Sequence, residues 1–426
     1  MRNSPLSRRQ FLGGTVASAA TFAIVPGHVL AAAARKAPSD VLTQGTIGTG
    51  GMGMGGHVRA NEAGKPPIQL AVCDVDERRL AAAVKKAGSG CTPYKDWREV
   101  IDRKDIDIIH CATPPHWHAL VTIAAAKAGK DIYCEKPMTR FIAEGQAVIE
   151  AVRRHGRVLQ HNTYGRGGWE RWRKLVMSGL LGTPLTVRLT PSTGYGFKVR
   201  QWSGRIDQKP QPVPAQLDYN MWLGPAPYKP YFPHRVHGSF RGYWDYDGGG
   251  LTDMGQHWYD PIHYFLGKDG TGPSEIRAYA PWPAHPDACG IWGTLTFKFE
   301  DGTTVVFESG EWGQRQHESP WFLEGPKGKV TRRGESDPPG IWDELSRFPD
   351  PPRLIGFGQA VRTRVNSPGA RPNAEEAHRS VSCLHLCNIA IRTGRTLRWD
   401  PAKEQFIGDE EANRLVNVPM RAPWHL

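Results

Sequence analysis

The chain is poor in cysteine and lacks the paired spacings that accompany metal or redox chemistry. Its seven cysteines (Cys73, Cys91, Cys111, Cys134, Cys289, Cys383 and Cys387) are odd in number, and neither CxxC nor HExxH occurs. That argues against a zinc site or a disulfide framework. Most lie in apolar strand-like runs, and Cys383 and Cys387 stand at helical i,i+4 spacing, so they read as buried thiols. His116 and His118, with Asp253, His257, Asp260 and His263 elsewhere, fall in no paired ligand motif, and no metal is expected. Long hydrophobic runs are missing too. The apolar stretch from Phe11 to Val25 is broken by Gly13 and Gly14 and is too short to favour a spanning helix. No dense Lys/Arg block concentrates the formal charge of +12, which weighs against nucleic-acid binding. Internal repeats and low-complexity tracts are absent.

What is present begins with Ser7-Arg8-Arg9-Gln10-Phe11-Leu12. A basic start, a short apolar stretch and the small residues Ala31 to Ala34 give residues 1–34 the form of a twin-arginine signal peptide. Such a leader is read by an export machinery that moves folded proteins, so the twin-arginine machinery is an expected partner and the periplasm the expected location. Cleavage after Ala33 removes three arginines and leaves a net charge of +9. The mature chain, about 390 residues, is long enough for two domains.

From residue 40 to 163, short apolar runs alternate with helical ones: Ile68 to Cys73 then Glu77 to Ala87, Ile106 to Ala112 then His116 to Ala128, and Ile132 to Cys134 then Phe141 to His155. This alternation predicts a doubly wound parallel sheet, with Leu42 to Ile47 as a weak first strand. Residues 164–395 change texture to aromatic, Gly- and Pro-rich sequence with strands at Leu185 to Thr190, Ile276 to Ala280, Gly293 to Phe299, Thr304 to Glu308 and Trp321 to Glu324. Alternation on both sides of Asp301-Gly302 predicts a hairpin. The second domain is therefore expected to be α+β with an open, largely antiparallel sheet. Leu217 to Phe240 reads as a long ordered loop, Ala374 to Arg392 as a helix, and residues 396–426 as an arm.

Gly48-Thr49-Gly50-Gly51-Met52-Gly53 fits G-x-G-x-x-G after a strand, with helix-compatible residues following and Asp74 placed 21 residues past Gly53. Such a loop lets the backbone approach a pyrophosphate, while the acid accepts hydrogen bonds from the adenosine ribose. A carboxylate there repels a 2′-phosphate, so NAD is favoured. NADP stays open because Arg78 or Arg79 could reach towards a phosphate.

Glu135-Lys136-Pro137 follows the fifth strand at the carboxyl edge, where open α/β sheets bind ligands. Lys136 can hold a substrate hydroxyl and favour its deprotonation, and Pro137 fixes the backbone that aims it. A glycine run, Gly248-Gly249-Gly250, leads into a helix on which Asp253 and His257 stand at i,i+4 and share a face. Histidine's ordinary pKa suits a base that takes an alcohol proton near neutral pH. Thr113, Pro114 and His118 lie after the fourth strand at the same edge.

Taken together these motifs, in this order, resemble the Gfo/Idh/MocA oxidoreductases: the glycine loop, Cys73-Asp74-Val75-Asp76, Thr113 to His118, Glu135-Lys136-Pro137, then Asp253 and His257. The likeness spans nearly the whole mature chain, and its C-terminal stretch is similar to exported family members. The resemblance implies Lys136, Asp253 and His257 as the catalytic set, with His257 the acid/base. It implies cofactor contacts at Gly48, Gly50, Gly51, Met52, Gly53, Asp74, Thr113, Pro114, His118, Glu135 and Lys136. It also implies a second-domain sheet used for substrate binding and for a homodimer or homotetramer. Family substrates are sugars, cyclitols and their derivatives. Aromatic rings that can stack on sugar C–H faces near this site include Tyr164, Tyr195, Trp202, Trp244 and Tyr246, with Arg166 as a polar partner.

Outside the cytoplasm an enzyme has no evident pool of free nucleotide. At an association rate of ~10⁶ M⁻¹s⁻¹, a Kd of ~1 nM still empties a site in minutes to tens of minutes. An exported enzyme is therefore expected to hold its NAD far more tightly and to recycle it in place. Three readings follow: an oxidoreductase acting on a sugar, glycoside or cyclitol hydroxyl; a redox-neutral NAD-dependent glycosidase or lyase that oxidises, eliminates, hydrates and reduces; and a non-catalytic sugar- or nucleotide-binding protein. The intact Glu135-Lys136-Pro137 motif favours the first.

Overall fold

The computed structural model describes residues 41–189, 204–205, 207–280, 287–289, 293–308 and 319–426. The leader, Tyr195 and Trp202 lie outside them.

Six parallel strands form the first sheet: β1 (Thr43–Ile47), β2 (Ile68–Cys73), β3 (Thr92–Tyr94), β4 (Ile108–Cys111), β5 (Asp131–Glu135) and β6 (Leu159–Asn162), in the order β3-β2-β1-β4-β5-β6. β4 and β5 are buried at every position, as expected of strands covered on both faces, and Ile108-Ile109 and Ile132 to Cys134 are their apolar centres. β1 is weak in sequence but is held by neighbours on both sides, with Thr46 opposite Val72 of β2 and His110 of β4. The chain reverses direction across the sheet between β1 and β4, which opens a crevice at their carboxyl ends.

The covering helices are α1 (Glu77–Ala87), α2 (Trp97–Asp102), α3 (His118–Lys127) and α4 (Ile142–Arg154). Asp76 caps α1 by accepting from the Arg78 and Arg79 amides at 2.9 and 3.3 Å. Asp96 caps α2 through the Arg98 amide.

α5 (Glu170–Ser178) leads into a nine-stranded sheet. Its strands are β7 (Thr186–Leu189), β8 (Glu275–Tyr279), β9 (Thr294–Lys298), β10 (Thr304–Glu308), β11 (Trp321–Gly325), β12 (Gly328–Thr331), β13 (Ser336–Asp337), β14 (Leu397–Asp400) and β15 (Gln405–Phe406). Only the β7–β10 pair is parallel. The hairpin read from sequence is present as β9 and β10, with Phe297 opposite Val305. One face of the sheet packs on α6 (Gly255–Phe265) and α7 (Ala374–Thr393) through Leu295, Phe297, Phe307, Leu384 and Cys387. All seven cysteines are buried free thiols.

α7 also packs against α4, and its first turn is capped by Asn373, which accepts from the Glu376 amide at 3.0 Å. A Cβ at Gly145 of α4 would sit 2.1 Å from His378 Nδ1, so the close approach needs glycine. Residues 396–426 do more than form an arm. β14 and β15 extend the second sheet, and Trp424 returns to pack edge-on against Trp117 with centroids 4.7 Å apart. No helix among the described residues is long and apolar enough to cross a membrane.

Candidate active site

A cavity of about 530 Å³ opens at the carboxyl ends of β1, β4 and β5. At one end lies the glycine loop. The Gly48 amide donates to the Cys73 carbonyl at 2.8 Å, and Gly48 turns with φ +87°, where a Cβ would meet the Ala112 carbonyl oxygen at 2.5 Å. A Cβ at Gly53 would lie 1.9 Å from the Gly48 carbonyl oxygen. Gly51 has nothing within 4 Å of its would-be Cβ, so that side of the loop faces open space, and Gly50 lies beneath the Arg79 guanidinium. The helix expected after this loop is not there. A single turn, with Met54 donating to Gly50 at 3.4 Å, gives way to irregular chain. Gly48, Gly50, Gly51, Gly53, Gly55 and Gly56 crowd the segment, and each glycine disfavours helix by about 1 kcal/mol relative to alanine.

Asp74 lines the same end. Its Oδ2 accepts from the Thr49 amide at 2.8 Å and hydroxyl at 2.9 Å, and its Oδ1 accepts from the Asp76 amide at 2.9 Å. The carboxylate is thus braced by the loop itself, leaving part of its acceptor capacity for a ligand.

At the other end stand Lys136, Asp253 and His257. Lys136 and Asp253 are buried, with Nζ 2.6 Å from Asp253 Oδ1. The same oxygen receives Arg241 Nε at 2.7 Å, from the turn His237–Gly242. Asp253 and His257 do not share one helix. Asp253 ends a short helix, Gly249–Asp253, and α6 restarts after Met254, so the i,i+4 pair spans a break. His257 stacks on the exposed Tyr164 ring, with centroids 3.8 Å apart and planes 5° apart.

Electrostatics set the charge states. Burial lowers Lys136, and Asp253 opposes the shift by stabilising the ammonium. Burial pushes Asp253 up, but Arg241 and Lys136 outweigh it and hold the carboxyl at about 2. Burial and neighbouring Lys136 push His257 down to about 2. This departs from the expectation of an ordinary histidine pKa: burial first, and Lys136 beside it second, favour the neutral imidazole. Asp247, buried next to Asp253, is raised to about 7. Glu135 is pushed up by burial but brought to about 2 by hydrogen bonds from His110 Nε2 at 3.2 Å and Asn162 at 2.7 Å and by Lys136. Glu135 Oε2, Asp253 Oδ2 and His257 Nδ1 are buried without a hydrogen-bond partner among the described residues.

Other expected site residues divide. Thr113, Pro114, Met52, Glu135 and Tyr164 line the cavity. His118 does not: its two ring nitrogens lie 2.7 and 2.8 Å from the Pro137 and Thr113 carbonyl oxygens, so it ties the lysine turn to the β4 loop. These contacts occupy the histidine of the one compact Cys111–His118–Cys134 group found among the described residues. Arg166 is not a substrate ligand. It is fully buried and ion-paired to Asp260 at 2.8 Å, Asp269 at 2.9 Å and Glu376 at 2.9 Å. Trp244 is buried between Arg140 and Arg392, whose guanidinium carbons lie 4.0 Å from its ring, and so cannot stack on a sugar. Tyr246 is likewise buried, against His116 and Trp222. Arg79, which the sequence marks with Arg78 as able to reach a phosphate, lines the cavity; Arg241 and His237 line it too, and nothing in their local sequence marks them.

Comparison with family models decides the affiliation: an NAD-binding Rossmann-fold model of the oxidoreductase family matches residues 42–163, and that family's C-terminal α/β domain model matches residues 169–426. The chain belongs to the Gfo/Idh/MocA oxidoreductase family. Inositol 2-dehydrogenase from Salmonella paratyphi B is 32% identical over 151 residues, 34% of this chain and 44% of that enzyme. The chain thus matches less than half the length of these inositol dehydrogenases. The uncharacterised oxidoreductase YrbE of Bacillus subtilis is 26% identical over 277 residues, 63% of this chain and 67% of that protein. Among solved structures, the WlbA dehydrogenase from Bordetella pertussis in complex with NADH and UDP-GlcNAcA shares the fold. Its TM-score is 0.57 at 17% identity, covering 84% of this chain and 99% of that one.

Proposed function

We propose that the protein is an NAD-dependent oxidoreductase acting on a secondary hydroxyl of a sugar, glycoside or cyclitol. The observation that carries this reading is one cavity with a glycine cradle at one end and Lys136, Asp253 and His257 at the other. The residues fit a dinucleotide: Gly48 and Gly53 sit where no side chain can, Gly51 faces open space, and Asp74 is braced with acceptor capacity remaining. Gly48 to Gly53 and Asp74 would hold the pyrophosphate and adenosine ribose, and Thr113, Pro114 and Glu135 would line the nicotinamide end. When bound, the nicotinamide supplies the hydride acceptor. NAD is the preferred form. The relatives' names, inositol 2-dehydrogenase and WlbA dehydrogenase, agree with a polyol or sugar substrate.

Lys136 holds the reacting hydroxyl and exchanges its proton at Nζ. His257, kept neutral by burial, accepts a hydrogen bond from that hydroxyl or its neighbour, and Tyr164 holds the imidazole plane by stacking. Asp253 keeps Lys136 in place through Oδ1. With the twin-arginine leader, the proposal extends to export in folded form with a tightly held nucleotide recycled in place, and to a homo-oligomer.

The test is direct. Purified mature protein is denatured, the released nucleotide identified by mass, and holoenzyme incubated with polyols and glycosides in D₂O. A keto product without cleavage supports the proposal. Free aglycone with deuterium beside the oxidised carbon would instead establish the redox-neutral glycosidase.

A further inference from the structure

Two cations share one carboxylate oxygen at the reactive end of the cavity. Lys136 Nζ and Arg241 Nε lie 2.6 and 2.7 Å from the same Asp253 Oδ1. Arg241 is further fixed by Nη1 donating to the Gly238 carbonyl at 3.0 Å and by packing of its guanidinium 4.7 Å from the Phe240 ring centre. Gly238, Phe240 and Arg241 all line the cavity from a turn of the second domain, opposite the β5 loop that carries Lys136. The turn begins at His237, a non-glycine residue with φ +57° that lies 3.2 Å from Asp76.

We propose that Arg241 is a positioning residue for Lys136: by occupying the Asp253 oxygen on which the lysine rests, it pins that carboxylate and withholds part of its charge, setting Lys136 to exchange a proton with the substrate hydroxyl. The inference rests on the oxidoreductase reading for its purpose, though not for its test. Paired with Asp253 alone, a buried lysine would be locked as an ammonium, because a full ion pair in a water-poor site resists proton loss. A second cation on the same oxygen weakens that lock and repels the ammonium, while burial favours the neutral amine in addition. Other titratable groups face Lys136 from every packed element: Asp247 before the glycine run, Glu135 on β5, His257 on α6, His161 on β6 and His118 on α3. The three histidines are held neutral by burial and Asp247 is raised to about 7, so Asp253, Arg241 and Glu135 are the fixed charges among them. Of these, Arg241 is the positive one.

The experiment compares full-length holoprotein with Arg241→Met, Arg241→Gln and Arg241→Lys. Each is treated across pH with acetic anhydride at trace level, and acetylation of Lys136 is read by peptide mass spectrometry. Nucleotide content and melting temperature are checked in parallel. The neutral variants should move the Lys136 labelling midpoint up by about one pH unit or more, as expected when a nearby like charge is removed. Arg241→Lys should restore most of the wild-type midpoint. The acid limb of kcat/KM should move with the labelling. A merely structural arginine would lower the active fraction and leave the midpoint where it was, and that result overturns the proposal. Should Arg241→Met fail to fold, Arg241→Gln carries the same expectation. Wild-type protein that oxidises no polyol refutes the function reading while leaving the labelling result to judge this one.

Discussion

Replacing Arg166 by methionine separates a structural from a ligand-binding role for a residue whose sequence context, just past the end of β6, suggests the latter. Arg166 and Asp260 are each 0% exposed, and the guanidinium also pairs with Glu376 and Asp269. Burial pulls Arg166 down, but the three carboxylates outweigh it and the net shift is upward. Methionine keeps much of the volume and removes the charge, leaving Asp260 and Glu376 buried without their common cation. Breaking a buried pair from one side costs about 3–5 kcal/mol, and two orphaned carboxylates place this change at the upper end. With unfolding entropy near 2 cal/mol/K per residue, a chain of this size should lose about 5–6 °C in Tm. The loss has a pH signature. Burial already raises Glu376, and without the opposing Arg166 its folded pKa rises further above the unfolded value, so the variant's stability is greatest below the unfolded value and drains away as pH rises through the folded one. The Tm gap to wild type should therefore widen between pH 5 and pH 8 in scanning calorimetry. A variant within 1 °C of wild type but with a raised substrate KM would refute the reasoning and restore Arg166 to the substrate site.

Further expectations concern the cavity and the buried histidines. Gly53→Ala must displace the Gly48 carbonyl and should cost about 1–3 kcal/mol in apo stability. Gly51→Ala meets nothing within 4 Å, so apo Tm should hold while nucleotide affinity falls tenfold or more by titration; equal nucleotide binding would contradict a pyrophosphate at Gly51. Lys136→Ala and His257→Ala should each lose at least a hundredfold in turnover yet copurify with nucleotide, and unimpaired turnover would remove them from the site. His116, His161, His257 and His385 are held by burial at about 3, 3, 2 and 3, below the 6.5 of an exposed imidazole. Unfolding therefore takes up protons below pH 6.5, and the stability these groups contribute above that value is lost as pH falls. Asp247 and Glu144, each raised by burial to about 7, act in the opposite direction between pH 4 and 7. Four groups against two leave a net loss of roughly 2 kcal/mol per pH unit on acidification from 6.5 to 5. A Tm that is flat or rises over that range would show that these histidines are not buried neutral.

The first domain was legible because its strands β4, β5 and β6 are buried at every position and alternate with helical runs, a pattern that local sequence carries. β1 is the exception. Thr43-Gln44-Gly45 has little strand character of its own and is held by pairing with β2 and β4. In the second sheet, β9 and β10 alternate clearly, while β13 and β15 contribute two residues each and exist only through their neighbours. The helix expected after the glycine loop does not form because six glycines between residues 48 and 56 disfavour it. At the site, Lys136, Asp253, His257 and the loop glycines carry motif signatures. Arg166 was misread because its ion partners Asp260 and Asp269 are 94 and 103 residues distant. Arg241 was missed for a related reason, since only the folded turn shows that it reaches Asp253.

The central claim, that this cavity moves hydride between a polyol carbon and a nicotinamide, is tested most directly with a substrate deuterated at its carbinol carbons. After a single half-reaction of the NAD-loaded holoenzyme, with no hydride acceptor present to recycle the cofactor, the nucleotide is released by denaturation and weighed. The account predicts reduced NAD one mass unit heavier, from deuterium carried by the carbinol carbon, and loss of that label in Lys136→Ala. Substrate conversion with the released nucleotide oxidised and unlabelled throughout, or protein that binds no nucleotide, would contradict it.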